Sequence, residues 1–136
     1  MPPELELVRQ WLSRARMDLN AAQASLAFKR PEPAAVCFHC QQAVEKSLKG
    51  FLVYRHIDFE WSHEIEYLIN LCAAEDKSFE KFRSSAGPLT DYAVRFRYPS
   101  GEPDPTVKQA EEALALARQL WQFVLNLLPP ETHPEE

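Results

Sequence analysis

Glycine is scarce in this chain, which has only 3 in 136 residues, and one of them, Gly50, lies inside a long amphipathic segment. The 11 prolines gather mainly near residues 2–3, 31–33, 99–105 and 129–134. Because glycine and proline are the strongest interrupters of regular structure, the long segments that they leave free predict an all-α protein. The length is that of one domain with a core of its own.

An excess of positive charge and long apolar runs are also lacking. Lys and Arg number 15 against 20 Asp and Glu, which gives a net charge of −5. This balance argues against broad electrostatic capture of nucleic acid or of an anionic membrane, and leaves room only for a local basic site. No apolar run approaches membrane-spanning length and the N-terminus has no apolar signal core. We therefore expect a cytoplasmic protein with no membrane partner.

Cysteine is present in an odd number, 3, which fits reduced thiols better than a disulfide framework. Cys37-Phe38-His39-Cys40 has the look of a metal or redox motif. On a helix, however, the two cysteines share the apolar face while His39 points away from Cys40. Structural zinc needs four ligands, and redox pairs usually open a helix after a strand. We therefore interpret both cysteines as buried packing residues and expect no metal and no cofactor.

The most informative stretch is Val36–Leu52, which reads VCFHCQQAVEKSLKGFL. Its apolar residues gather on one half of a helix, whereas the polar ones fall on the other half. The apolar half consists of Val36, Cys37, Cys40, Ala43, Val44, Leu48, Phe51 and Leu52. A face of this width needs more than one neighbouring helix, so the stretch predicts the central helix of a bundle.

Periodicity and end signals divide the whole chain into five helical segments, at about 4–28, 33–55, 62–74, 79–98 and 106–128. The turn at residues 29–33 is short, so the first two helices should be antiparallel neighbours. These segments predict an up-and-down helical bundle of four to five helices over residues 1–130. The acidic residues 131–136 should form a disordered tail.

Several residues mark where the later helices begin and break. Ser62 and Ser78 are candidate N-caps of the third and fourth segments. Gly87-Pro88 should kink or restart the fourth segment, and Pro99 should end it. For the last helix, Thr106 and Gln109 have the spacing of a capping box, while Asp104-Pro105 offers a competing start one step earlier.

The polar half of the central helix is a candidate surface for a partner or a second copy of the chain. It carries Gln42, Glu45, Lys46 and Lys49, and a solvated face remains the alternative. Gln41 lies at the edge of the apolar half, where an amide should have a bonding partner or face another subunit.

A candidate ligand site lies in the segment 90–99, which reads TDYAVRFRYP. Arg95, Arg97, Tyr92 and Tyr98 concentrate guanidinium groups, which bind phosphate, and aromatic rings, which stack on bases. The alternative is a helix end whose cations complement the helix dipole, with tyrosines that are half buried.

An up-and-down bundle would bring other groups to this helix end. It predicts that Arg97 and Tyr98 lie near His63, His56 and Trp61, beside the N-terminus of the last helix. Histidine, arginine and free backbone N–H groups together would form an anion site.

These stretches resemble one known family. Val36–Gly50 resembles the QxAxEKxLKA helix of HEPN domains, the higher-eukaryote and prokaryote nucleotide-binding family. Ser62-His63-Glu64-Ile65 resembles the start of its third helix, and Arg97-Tyr98-Pro99 its RYP motif. Trp11, Asp18, Leu19 and Ala22 also fit the first helix of the family. The resemblance extends from about Leu5 to Leu127.

The resemblance implies a helical bundle that forms a homodimer and is commonly encoded beside a small nucleotidyltransferase, in a module of toxin–antitoxin type. Many members are metal-independent ribonucleases with an Arg-x4-6-His motif, which this chain lacks. The nearest case, Arg55 and His63, has seven intervening residues. Without that histidine the ribose 2′-hydroxyl loses its expected base.

Three functions therefore stay open. The first is a non-catalytic subunit that binds a nucleotide or substrate at Arg97, Tyr98 and His63 for a nucleotidyltransferase partner. The alternative is an endoribonuclease with a non-standard centre, in which His63 acts as the base. A scaffold that only associates with a partner is the third option.

Overall fold

Helices and the connections between them make up the fold in the computed structural model, which describes residues 1–99 and 101–135. The helices are α1 (Pro3–Leu26), α2 (Pro33–Tyr54), α3 (Ile65–Glu75), α4 (Arg83–Ala86), α5 (Leu89–Arg97) and α6 (Val107–Leu127). Short 3-10 helices occupy Lys77–Phe82 and Pro130–Thr132. Within the described residues there is no strand, and the all-α helical bundle predicted from the sequence is confirmed.

Helix α2 lies at the centre of the bundle and packs against α1, α3, α5 and α6. Its predicted apolar half is buried throughout, from Val36 to Leu52. Full burial of a side chain such as Leu48 or Phe51 contributes about 1.5–3 kcal/mol to the stability of the fold. This helix therefore supplies much of the core. The central position expected for this segment is confirmed.

Helices α1 and α2 form the predicted antiparallel pair. Asp18 lies beside His39 and Lys46 of α2, whereas Trp11, earlier on α1, lies beside Gly50, which comes later on α2. A Cβ atom added to Gly50 would lie 3.3 Å from the Cβ of Trp11, so glycine permits the close approach of the two helices. The indole N–H of Trp121 in α6 donates to the carbonyl of Leu12 at 3.1 Å, so α6 packs against α1 as well.

Helix α3 does not alternate in direction with α2. The Gln41 amide donates to the carbonyl of His63, Cys72 contacts the carbonyl of Leu48, and Arg55 pairs with Glu75. Positions on α3 therefore rise together with positions on α2, so the two helices are parallel. Residues 55–64 make this possible by returning along α2 in an irregular conformation.

The return begins at His56, which has a φ of 58°. The His56 N–H donates to the carbonyl of Val53, and the Ile57 N–H donates to that of Leu52. These two hydrogen bonds form a Schellman motif. The residue that adopts the left-handed backbone conformation in this motif is usually glycine, and here it is His56.

The residues predicted to cap or break the helices were partly correct. The capping box of Thr106 and Gln109 is present, and the helix breaks at Gly87-Pro88 as predicted. Two predicted N-caps were wrong. Asp76, not Ser78, caps the 3-10 helix, because the Asp76 carboxylate accepts from the Ser78 N–H.

The second wrong cap is Ser62. Its hydroxyl accepts from the Glu64 N–H, and the helix begins later, at Ile65. The Ile65 N–H donates instead to Thr90 of α5 at 2.9 Å, a partner from another helix that sequence spacing does not reveal.

The chain end differs from the predicted tail at its first residues. Thr132 is buried, and the His133 ring lies 2.8 Å from the carbonyl of Leu125. These contacts hold residues 130–133 against the bundle. Two positions fall outside the described residues: Ser100 of the predicted turn before α6, and Glu136 of the predicted tail.

The α1–α2 approach yields a prediction on stability. Gly50→Leu should lower the free energy of unfolding by about 1–3 kcal/mol, because the larger side chain would push against Trp11 and Leu12. Ala24→Leu, on the exposed surface of α1, is the matched control and should change little. Urea unfolding followed by circular dichroism measures both. Equal stability of the two variants would contradict the close packing.

Candidate functional site: the polar stripe of α2

A buried ionic cluster surrounds Glu45 on α2. The Glu45 carboxylate accepts from Lys49 Nζ at 2.9 Å, from His63 Nδ1 at 2.9 Å and from the Gln41 amide at 3.2 Å. Glu45 is 3% exposed, and Lys49 and Gln41 are 0% exposed. Buried charges are tolerated when they are paired and hydrogen-bonded, which is the case here.

Three aromatic rings enclose the Lys49 ammonium group. It lies 4.6 Å from the ring centre of Trp61, 5.7 Å from that of Trp11 and 5.8 Å from that of Phe59. Each ring face attracts the cation electrostatically. Lys49 therefore ties α1 and the returning segment 55–64 to α2.

A second cluster lies between α1 and α2. The Asp18 carboxylate, itself buried, accepts from Lys46 Nζ at 2.6 Å and lies 2.9 Å from His39 Nδ1. Sequence reasoning named Lys46 but missed Asp18 and His39 as functional candidates. The antiparallel pairing of the first two helices was the signal, since it brings the polar edges of both helices together.

The two clusters have the same plan, a carboxylate bonded to one lysine and to the Nδ1 of one histidine. Because a carboxylate only accepts hydrogen bonds, Nδ1 carries the proton in a neutral ring and Nε2 is left as an acceptor. The side chains of His39 and His63 are 33% and 39% exposed, so both rings reach the surface. Such a histidine is oriented for proton transfer or for binding an anion once it is protonated.

The two arginines of α5 have opposite surroundings. Arg95 pairs with Asp91 at 2.7 Å and with Glu102 at 2.6 Å, so its charge is balanced. Arg97 is exposed, and its guanidinium carbon lies 5.6 Å from the ring centre of Phe38. Among the described residues Arg97 forms no ion pair, so its donors remain available to a ligand.

Aromatic rings adjoin Arg97 at the surface. Phe96 stacks on Phe38 with ring centres 4.8 Å apart, and Tyr98 is 66% exposed. We call Phe38, Phe96, Arg97 and Tyr98 the Arg97 platform. It combines an exposed cation with two exposed aromatic residues, Phe96 and Tyr98, and such a combination can bind nucleotides.

Tyr92 faces elsewhere. It lines a cavity of about 340 Å³ between α5 and α6, together with Gln109, Glu112 and Leu116. Burial, the largest contribution, raises the pKa of its phenol. Of the predicted ligand residues, Tyr92 therefore lies in a cavity formed with α6, whereas Arg97 packs on α2.

The predicted grouping of Arg97 with His63, His56 and Trp61 is not what the structure has. Arg97 contacts Phe38 near the start of α2, whereas His63 bonds to Glu45, seven residues further along. Seven residues correspond to a rise of about 10 Å. The expected geometry assumed that helices alternate in direction, and the parallel α3 breaks that assumption.

The cysteines behave as the sequence predicted for packing residues. All three are free and buried. Burial raises the pKa of the Cys37 thiol to about 11 and that of Cys40 to about 12, and it is also the main cause of the raised pKa of Cys72. Thiols protonated to such high pH are poor nucleophiles and poor metal ligands. In the described part of the chain no cluster of three or more His, Cys, Asp or Glu has the arrangement of a metal site.

The five residues of the predicted partner surface differ in exposure. Gln41, Glu45 and Lys49 are buried by their own chain, whereas Gln42 and Lys46 remain partly exposed. A contact with another subunit through Gln42 and Lys46 stays a prediction. None of the helices described is both long and apolar enough to cross a membrane.

Fold and site together define a class: an all-α bundle in which two buried carboxylates, Asp18 of α1 and Glu45 of α2, are each bonded to a lysine and a histidine. The HEPN domain profile matches residues 8–127. This chain belongs to the HEPN family.

The solved structures include a similar chain, the crystal structure of TT1696 from Thermus thermophilus. The TM-score is 0.79 at 34% sequence identity, over 90% of this chain and 99% of that one. Comparison with curated proteins gives no match.

The buried pair yields a prediction. Lys49→Met should lower the free energy of unfolding by about 3–5 kcal/mol, since it leaves the Glu45 carboxylate buried without its cation. Adding Glu45→Gln should recover part of the loss, because the unpaired charge is then gone. Lys108→Met, on the exposed face of α6, is the control. Denaturant unfolding of the wild type, Lys49→Met, Glu45→Gln, the double variant and Lys108→Met forms the test, and additive losses would rule out the coupling.

Proposed function

We propose that this protein is a non-catalytic HEPN subunit that binds a nucleotide or nucleotide-containing substrate at the Arg97 platform. The observation that carries the proposal is the exposed guanidinium of Arg97, which lies over the Phe38 ring and forms no ion pair with the described residues. Guanidinium donors suit phosphate oxygens, and the rings suit a base. Arg95 is the secondary candidate, because its two carboxylate partners compete with any anion.

The partner in this proposal is a small nucleotidyltransferase encoded nearby, within a module of toxin–antitoxin type, and the subunit acts as a homodimer. These features come from the family resemblance. Gln42 and Lys46 supply the exposed polar surface of α2 for such contacts. The absence of an Arg-x4-6-His motif supports a binding role over a catalytic one.

Nucleotide binding is measured by calorimetry with AMP and, as a ligand without phosphate, adenosine. Arg97→Ala should weaken AMP binding at least about tenfold, the effect of losing one charge-assisted interaction. Arg16→Ala, which removes an arginine between α1 and α6, is the matched control and should bind like the wild type. Equal AMP affinity of the wild type and Arg97→Ala would refute the site, as would equal affinity for AMP and adenosine.

A second function is supported by the His63–Glu45 contact. The carboxylate, 2.9 Å from Nδ1, orients the ring and leaves Nε2 as the acceptor, as in a general base that removes a proton from a ribose 2′-hydroxyl. This would make the protein a metal-independent endoribonuclease with a non-standard centre.

Ribonuclease activity is tested by incubating a labelled RNA with the protein in excess chelator. Cleavage should fall by at least about a hundredfold in His63→Ala if the ring is the base. His56→Ala, at the turn after α2, is the control for loss of a surface histidine. Absence of cleavage by the wild type, or cleavage that survives His63→Ala, would exclude this function.

A further inference from the structure

Trp61 is the most exposed large apolar side chain of the described residues, at 78%. It is nevertheless held in place, since its ring lies over the Lys49 ammonium at 4.6 Å and meets the edge of His63 at 5.7 Å between ring centres. One face of the indole is therefore occupied and the ring is oriented, while most of its surface faces solvent. An oriented, exposed indole is a stacking platform for a base.

Trp61 and the Arg97 platform contact the same face of α2, the one that carries Phe38 and Lys49. Trp61 lies over Lys49, and Arg97 lies over Phe38. The eleven residues from Phe38 to Lys49 make about three turns plus 20°, so both supporting side chains leave the helix in nearly the same direction. Their rise along the axis is about 16 Å.

The surface between the two platforms is polar, and its two buried carboxylates are paired. Gln42 lies between them on the same stripe, with Lys46 and His39 on one side and His63 on the other. Asp18 is bonded to Lys46 and Glu45 to Lys49, so neither buried carboxylate leaves an unpaired charge facing the stripe.

We propose that Trp61 is a second base-stacking site, and that the ligand is a single-stranded nucleic acid lying along α2 from the Arg97 platform to Trp61. This rests on the proposed function at Arg97 and adds the class of ligand. At about 3.4 Å per stacked nucleotide, a rise of about 16 Å corresponds to roughly five nucleotides. A mononucleotide occupies only one platform, whereas a hexanucleotide reaches both.

The test is fluorescence and calorimetric titration with UMP, the hexanucleotides of uridine and of thymidine, and a hairpin duplex of equal phosphate number. The wild type should bind at least one single-stranded hexanucleotide at least about fivefold more tightly than UMP, the smallest gain expected from one stacked base. The fluorescence of the Trp61 indole should be quenched by the hexanucleotide. The duplex should bind more weakly, because its bases are not free to stack.

Variants separate the two sites. Trp61→Ala should reduce hexanucleotide affinity to that for UMP while leaving UMP binding unchanged, and Trp61→Phe should restore part of the difference. Arg97→Ala should weaken both ligands. Light scattering of the same samples shows whether the assembly state has changed.

The second site is overturned if the wild type binds UMP and the hexanucleotides equally, or binds the duplex as tightly, and the Arg97 site then still stands. It is also overturned if Trp61→Ala alters the molar mass and not the affinity, since Trp61 would then be a protein contact. Because the length series uses the wild type alone, it can overturn the second site even if Trp61→Ala fails to fold, and Trp61→Phe then serves as the variant. Failure to bind UMP and both hexanucleotides would remove the Arg97 site as well.

Discussion

The buried ion pair of Lys49 and Glu45 is the constraint on which the rest of the structure depends. Two charges removed from water must satisfy each other, and neither can do so without groups from elsewhere. The carboxylate takes its further bonds from Gln41 and His63, and the ammonium takes the rings of Trp11, Phe59 and Trp61. These contacts draw the segment 55–64 back along α2.

That return has a consequence for the whole bundle. Because the chain runs back beside α2 before α3 begins, α3 is parallel to α2, and its first N–H meets Thr90 of α5. The start of α3 is thereby set against the middle of α2, not against its end. His63 reaches Glu45 for the same reason, and the same return carries Trp61 to its exposed position over Lys49.

The histidines of this surface do not come from the helix that carries the arginines. The segment that carries Arg95 and Arg97 has none, yet two histidines oriented by carboxylates lie on the polar stripe of α2. One comes from the loop before α3 and the other from α2 itself. Arg97 and His63 contact different parts of α2, since Phe38 and Glu45 are separated by about 10 Å of helix rise.

The sequence by itself determined the helical class, the family, the central helix, the antiparallel first pair, the break at Gly87-Pro88 and the capping box at Thr106. These depend on local periodicity and on short-range bonds, which the order of residues states directly. It also identified the cysteines as packing residues and Arg97 as a candidate ligand group. Only the tertiary structure decided that Lys49 and Glu45 are buried, that Arg95 is balanced while Arg97 is not, and that Trp61 shares a stripe with Phe38. Such facts depend on which distant groups meet, and a charged residue on a helix looks the same in sequence whether water or another segment covers it.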